Sequence, residues 1–383
     1  MNDRAPFVRL WLATFFGYVA LGVTLQSLPD YLVNRFGAGP LGVGIVIGVA
    51  SVAAAVTRPL VGRAADRGLA RRVVLAGGLL GVAGGLGHLL APNLAALFLA
   101  RLCLGAGEGS VFTGAVAWIL QFAATDRRGR MAGWYGLSMW AGLAVGPFAA
   151  LVLLRAGGSI TVWGAVTALP VLTWGLVATT AAPPARAGED GGGWLFPAGA
   201  RAPAFAFGLA SCGYGAIAAL ILLRLAHAGL GGQEIALALF AFCFLLSRAL
   251  GSPLVDRFGG HRVAVAFAGL EALGLVLVGM GHSMAMVLVG VALVAVGVSL
   301  LYPSTVEVVV NRTPTDQHGA ALGALTACWD LGVLTGSVSG GLIVTLVGYE
   351  GAFTVTAALA GAGALFFAVL GGVGGRLRTT YSG

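Results

Sequence analysis

The segment RPLVGRAADRGLARR, residues 58–72, returns 190 positions later as RALGSPLVDRFGGHR, residues 248–262. Arg58, Asp66 and Arg67 fall on Arg248, Asp256 and Arg257. The same offset carries Asp126, Gly129, Gly133, Gly142 and Gly146 onto Asp316, Gly319, Gly323, Gly332 and Gly336. The offset is about half of the 383-residue length, and the charges it aligns are scarce, at 9% of residues against 58% hydrophobic. A soluble domain carries about 25% charged residues. This chain has too little charge to coat a water-facing surface and reads as a membrane protein built from one unit used twice.

Working outward from the repeat, apolar runs bounded by Arg, Asp, Pro or Gly clusters predict helices at 8–33, 39–61, 72–91, 94–122, 131–154 and 160–180. They resume at 203–226, 234–255, 262–281, 284–310, 319–346 and 350–374. A spanning helix needs about 20 apolar residues, so the length holds twelve spans and no separate soluble domain. The first run, Phe7–Leu28, exceeds a signal core and lacks a small-x-small cleavage site, so it reads as the first span. Ala181–Arg201, with Pro183-Pro184, Glu189-Asp190 and Gly191–Gly193, is the linker-like interval. The expected organisation is a six-helix bundle over 1–180, a cytoplasmic linker over 181–201 and a second bundle over 202–383. The expected fold class is all-α integral membrane, twelve transmembrane helices as two six-helix repeats.

The formal charge of +8 comes with 22 basic residues, all Arg and none Lys. That excludes a phosphate loop ending in Gly-Lys-Ser/Thr. With twelve spans, every arginine except Arg35, Arg101, Arg155 and Arg224 falls at the termini or in even-numbered connections. The positive-inside rule makes that side cytoplasmic, with both termini there. The basicity is thus a topology signal, with no nucleic-acid partner implied, and the expected location is a bacterial cytoplasmic membrane. Cys103, Cys212, Cys243 and Cys328 sit in apolar stretches and imply no disulfide framework. The five histidines show no metal-ligand spacing, and no paired carboxylates occur at catalytic spacing in a loop. No metal, no cofactor and no enzymatic activity are expected.

The connection Gly62-Arg63-Ala64-Ala65-Asp66-Arg67, followed by Arg71-Arg72, and its copy Ser252-Pro253-Leu254-Val255-Asp256-Arg257-Phe258-Gly259 resemble the Gly-x-Leu-Ala-Asp-Arg-x-Gly-Arg signature of the major facilitator superfamily. The first copy has Leu69 and Ala70 where the family has Gly and Arg, and the second opens on Ser252. The resemblance implies the major facilitator fold, with two bundles rocking around a midplane site. It also implies a cytoplasmic gate of Gly62, Asp66, Arg67, Arg71, Arg72, Asp256, Arg257 and Gly259. In the fifth span Gly133, Gly142 and Gly146-Pro147 are similar to the antiporter motif of the drug/proton exchangers, although Ala150-Leu151 stands where that motif has Gly-Gly. Gly142 and Gly146 share one helix face and permit close approach of a neighbour, so packing alone is the alternative reading.

The fourth span carries Arg101, Gly105 and Glu108 on one stripe, with the charges about 10 Å apart along the axis. It resembles the Arg-x-x-x-Gly pattern of proton-coupled members. An intramembrane acid is costly and usually functional. Glu108 is therefore the first proton-coupling candidate, with Arg101 as its charge partner, and permanent pairing with a basic group on another helix is the alternative. Asp330 in the eleventh span and Glu307, which shares a face with Ser299, Pro303 and Asn311 in the tenth, compete for the role. Glu271 in the ninth span is expected to pair at an inter-helix contact. Tyr18, Gln26, Trp140 and Tyr214 are the substrate-cavity candidates. The expectation is a monomeric secondary transporter in the lipid bilayer, exporting a small-molecule substrate, drug-like or metabolic, against protons. An uptake symporter of the same fold, or a non-transporting scaffold or sensor, stays open.

Overall fold

Inside a bilayer a backbone N–H or C=O finds no water, so each span closes its hydrogen bonds within itself, and helices do this. The computed structural model describes residues 4–122, 128–181, 196–314 and 317–380, and it is all-helical with short connections over them. The elements are α1 Arg4–Phe36, α2 Pro40–Ala64, α3 Ala70–Leu90, α4 Leu94–Phe122, α5 Arg128–Ala178, α6 Ala198–His227, α7 Gln233–Phe258, α8 Gly260–Met280, α9 Met284–Val310 and α10 His318–Thr380. A wide turn, Ala65–Leu69, joins α2 to α3, with Gly68 at φ 81°. Residues 182–195 of the expected linker, with Asp126 and Asp316 of the repeat, lie outside the described residues. Ala198–Arg201, the end of that linker interval, forms the first turn of α6.

Separate fifth and sixth spans, and eleventh and twelfth, appear here as single elements. α5 has 51 residues and α10 has 63. At the rise of an α-helix these would measure about 77 Å and about 95 Å, against about 30 Å of hydrocarbon. Neither crosses in one pass. α5 breaks at Gly158 (φ 67°, ψ −151°) and α10 at Gly348 (φ 81°, ψ 178°). A side chain is strained at the positive φ of Gly158 and Gly348 and glycine is not, so two residues in α5, Gly157 and Gly158, and one in α10 do the work of a loop. Thr161 Oγ1 stitches the first break by donating to the Leu153 and Gly158 carbonyls at 2.6 and 2.8 Å. Both breaks fall in the predicted gaps, and 158 + 190 = 348, so the repeat extends to its turns. Among the described residues each half then holds six apolar legs.

The chain divides into two compact units, Met1–Gly37 with Val49–Gly191, and Ala38–Gly48 with Gly192–Gly383. The core of the first gathers Leu10, Ala13, Val74, Ala115, Trp118, Tyr135 and Val177. That of the second gathers Phe207, Ala264, Ala268, Leu301, Leu325 and Phe367. Between helices in lipid, small residues that let backbones approach replace the hydrophobic drive. A Cβ on Gly107 of α4 would stand 2.7 Å from the Gly77 carbonyl of α3, and one on Gly297 of α9 would stand 2.7 Å from the Phe267 carbonyl of α8. Likewise Gly146 of α5 abuts Gly22 of α1, and Gly336 of α10 abuts Cys212 of α6. In each pair of contacts both residues of the first map onto both residues of the second by the same 190-residue shift, so the sequence repeat is a repeat of packing.

Candidate functional site

α4 is capped by Asn93, whose Oδ1 accepts from the Ala96 N–H at 2.9 Å. Its glycine face then lies against α2. A Cβ on Gly105 would stand 2.1 Å from the Ala50 carbonyl, and one on Gly109 would stand 2.7 Å from Thr57 Oγ1. This closeness brings Glu108 to Arg58, with Nη2 and Oε1 3.5 Å apart and the side chains 17% and 11% exposed. The Arg58 guanidinium also lies over the Phe112 ring, 5.7 Å from its centroid, at the distance of a cation–π contact. Phe112 meets Tyr18 edge-on at 6.0 Å and Tyr135 at 5.4 Å. The Tyr135 hydroxyl is hydrogen-bonded with Thr14 and donates to the Phe112 carbonyl at 3.4 Å. The Tyr18 hydroxyl is buried and within electrostatic reach of both Glu108 and Arg58. Four helices, α1, α2, α4 and α5, thus surround one ion pair with aromatic walls.

The sequence reading placed Arg58 among the cytoplasmic connection arginines and offered Arg101 as the charge partner of Glu108, with a basic group on another helix as the alternative; Arg58 of α2 is such a group. α2 continues as helix to Ala64, so Arg58 stands on a helix and not in a loop. Arg101, 1% exposed, acts electrostatically on His88 of α3. The His88 ring bonds the Gly84 carbonyl through Nδ1 at 2.7 Å and packs 5.1 Å from Trp163. The second half repeats the arginine without the acid. Arg248 Nη1 donates to the Ser299 carbonyl at 2.9 Å. Since 58 + 190 = 248 and 108 + 190 = 298, Val298 stands where the first half has Glu108.

The other candidates have different surroundings. Glu307 accepts from the Gly260 N–H at 2.7 Å and from Asn311 Nδ2 at 2.9 Å. A carboxylate is favourable at the start of a helix, and Glu307 serves there as the cap of α8, which also accounts for its shared face with Asn311. Asp330 is 5% exposed on α10, next to Trp329, whose ring stacks on Phe207 at 5.3 Å and Tyr214 at 5.4 Å. Gln26 is buried on α1 and Trp140 half-buried on α5. Glu271 is fully buried on α8, with neither carboxyl oxygen hydrogen-bonded, contrary to its expected pairing.

Among the residues expected to form a gate, Arg71 donates to the Ala178 carbonyl at 2.7 Å, at the end of α5, where a cation suits the helix dipole. Arg67, Arg72, Asp256 and Arg257 are exposed, and the Asp66 side chain lies outside the description. Gly62 is in α2, and Gly259, at φ 80°, ends α7 by donating to the Val255 carbonyl at 2.9 Å. In α5, Gly142 packs on Phe15, Tyr18 and Val19, and Gly146 on Gly22. Their counterparts Gly332 and Gly336 pack on α6 in the same manner. The glycine pair is thus common to both halves, while Pro147 is answered by Ser337. Sequence reasoning also missed a cavity of about 380 Å³ lined by Arg224, His227, His282, Tyr349 and Glu350 among others. The signal for it was Arg224, an arginine inside a predicted span, which donates to the Gly279 and Gly281 carbonyls at 3.2 and 2.9 Å.

Two many-legged helical repeats, with a half-buried ion pair in the first, are the build of a multi-pass membrane transporter. The sequence profile of the Major Facilitator Superfamily matches residues 10–202 and again 203–374, and the chain belongs to that superfamily. An uncharacterized MFS-type transporter of Pseudomonas aeruginosa is 31% identical over 382 residues, covering 96% of this chain and 93% of its own. The uncharacterized MFS-type transporter YhhS of Escherichia coli is 31% identical over 376 residues, covering 92% and 89%. The human organic anion transporter MFSD10 (TETRAN) superposes with a TM-score of 0.72 at 15% identity, over 96% of this chain and 100% of its own. The nucleoside transporter NupG does so with a TM-score of 0.75 at 15% identity, over 95% and 99%. The protein is a membrane transporter and not an enzyme.

Proposed function

We propose that this transporter works by alternating access and exports a small organic compound, drug-like or metabolic, in exchange for protons across the bacterial cytoplasmic membrane. The observation that carries the reading is the Arg58–Glu108 pair within its aromatic walls. Two opposite charges at this depth are tolerable together and costly apart. When Glu108 takes up a proton, Arg58 loses its counter-ion and turns to carbonyls, water or a polar group of the substrate. When the proton leaves, the pair re-forms. A proton gradient can bias such a two-state element, provided each state binds substrate differently.

Glu108 is the proton carrier in this reading and Arg58 its charge partner, with Asp330 as the acid of the second half. Tyr18, Gln26 and Trp140 are the substrate-contacting residues of the first unit in this reading, and Tyr214 that of the second. The export direction is supported by the resemblance of Gly133, Gly142, Gly146 and Pro147 to the antiporter motif. The arginine distribution supports cytoplasmic termini, and the protein acts as a monomer. The test uses reconstituted vesicles with an imposed pH gradient and a panel of amphipathic cations, organic acids, nucleosides and sugars. Substrate-dependent proton counterflow is expected. Proton flux in the same direction as substrate would establish uptake by symport instead, and transport driven by sodium with no proton movement would remove the proton from the mechanism.

A further inference from the structure

Glu271 sits on α8 at 0% exposure, and neither Oε1 nor Oε2 has a hydrogen-bond partner. Its neighbours are built around it. On α6, a Cβ at Gly213 would stand 2.1 Å from Oε1, so the carboxyl occupies the space that a side chain there would fill. On α9, a Cβ at Gly297 would meet the Glu271 amide nitrogen and Cβ at 2.6 and 2.7 Å, so the backbone presses on it from the other side. The titratable group facing it is the Cys212 thiol of α6. α9 presents glycine backbone, and Leu275 of α8 borders Gly213. From α7 and α10, which also pack on α8, no charged group among the described residues acts on it.

The acid is also an addition to the repeat, because 81 + 190 = 271 and the first half has Gly81 at that position. Packing does not require a carboxyl there. A buried carboxylate with neither counter-ion nor donor pays the desolvation of a full charge, whereas the neutral acid pays only that of an unsatisfied polar group, which is far smaller. We propose that Glu271 is a second proton-binding site of this transporter. It holds its proton as a neutral carboxylic acid occluded between α6, α8 and α9, and exchanges it with water only when α6 draws away from α8. The site stands apart from the Glu108 reading: it lies in the other unit, and neither depends on the other.

Infrared spectroscopy of the full-length protein in lipid tests this directly, because a protonated carboxyl has a carbonyl stretch that a carboxylate lacks. At neutral pH, where an exposed glutamate is ionised, the wild type is expected to show such a band. Glu271→Gln and Glu271→Met are both expected to lose it. The methionine variant removes the unsatisfied group and should accumulate and melt like the wild type. In D2O the wild-type band should shift slowly, and faster in Gly213→Ala, whose new methyl displaces the carboxyl from its niche. A neutral-pH spectrum with no band dependent on Glu271 overturns the proposal. So does a Glu271→Gln variant that fails to accumulate, since Gln nearly matches the shape of the neutral acid and lacks the charge. Band exchange complete at the first time point in the wild type overturns the occlusion.

Discussion

Arg58 and Glu108 each leave a buried charge behind when the other is removed, and that asymmetry is measurable. Arg58→Gln and Glu108→Gln should each destabilise the protein, on the order of 3 kcal/mol at most for a largely buried pair. The double variant should lose less than the sum. A double-mutant cycle on thermal unfolding in lipid or detergent reads this coupling, and additive losses would mean that the pair contributes nothing as a pair. In transport, Glu108→Gln should abolish proton-driven flux while substrate binding persists, checked by binding and by flux on the same preparation. Loss of both together would make Glu108 a structural acid. The sequence made Glu108 visible because charge is rare in a span, but it hid Arg58. An arginine three residues from the end of an apolar run looks like one that obeys the positive-inside rule, and only its side-chain contact with Glu108 sets it apart. Glu307 misled in the opposite way, since its four-residue spacing to Asn311 marks a helix cap as well as it marks a cavity stripe.

The helices are held by glycine contacts whose tolerance varies residue by residue. Gly105 and Gly336 face backbone carbonyls at 2.1 and 2.0 Å from an added Cβ. Gly105→Val and Gly336→Val should therefore force the helices apart and lower the melting temperature, or prevent accumulation. Gly136 and Gly361 have nothing within 4 Å, and alanine there should be neutral or stabilising by up to about 1 kcal/mol through helix propensity. Thermal melts of the four variants decide it, and equal effects at all four would remove the packing argument. The spans themselves were legible, because about 20 apolar residues in a row leave few alternatives. The joining of legs into α5 and α10 was not. A glycine turn and a short polar loop leave the same gap in an apolar pattern, and only the backbone angles separate them.

At the level of the whole chain, duplication was the most legible property, since rare charges and crowded glycines keep their spacing through 190 residues. The structure adds that the two copies diverge at chosen points: Glu108 against Val298, and Glu271 against Gly81. Val298→Glu should accordingly be accepted beside Arg248, and should lose accumulation when Arg248 is also changed to Met, as read by membrane yield and thermal melting. Equal yields with and without Arg248 would mean that the second arginine does not answer position 298. The glycine turns at Gly158 and Gly348 have a consequence for how the protein is made. Each joins two apolar legs within one helical element and without a long polar loop. Arg155 is the one arginine beside the first of these turns, so the orientation of each pair in the nascent membrane is expected to rest mainly on the arginines that enter before and after it.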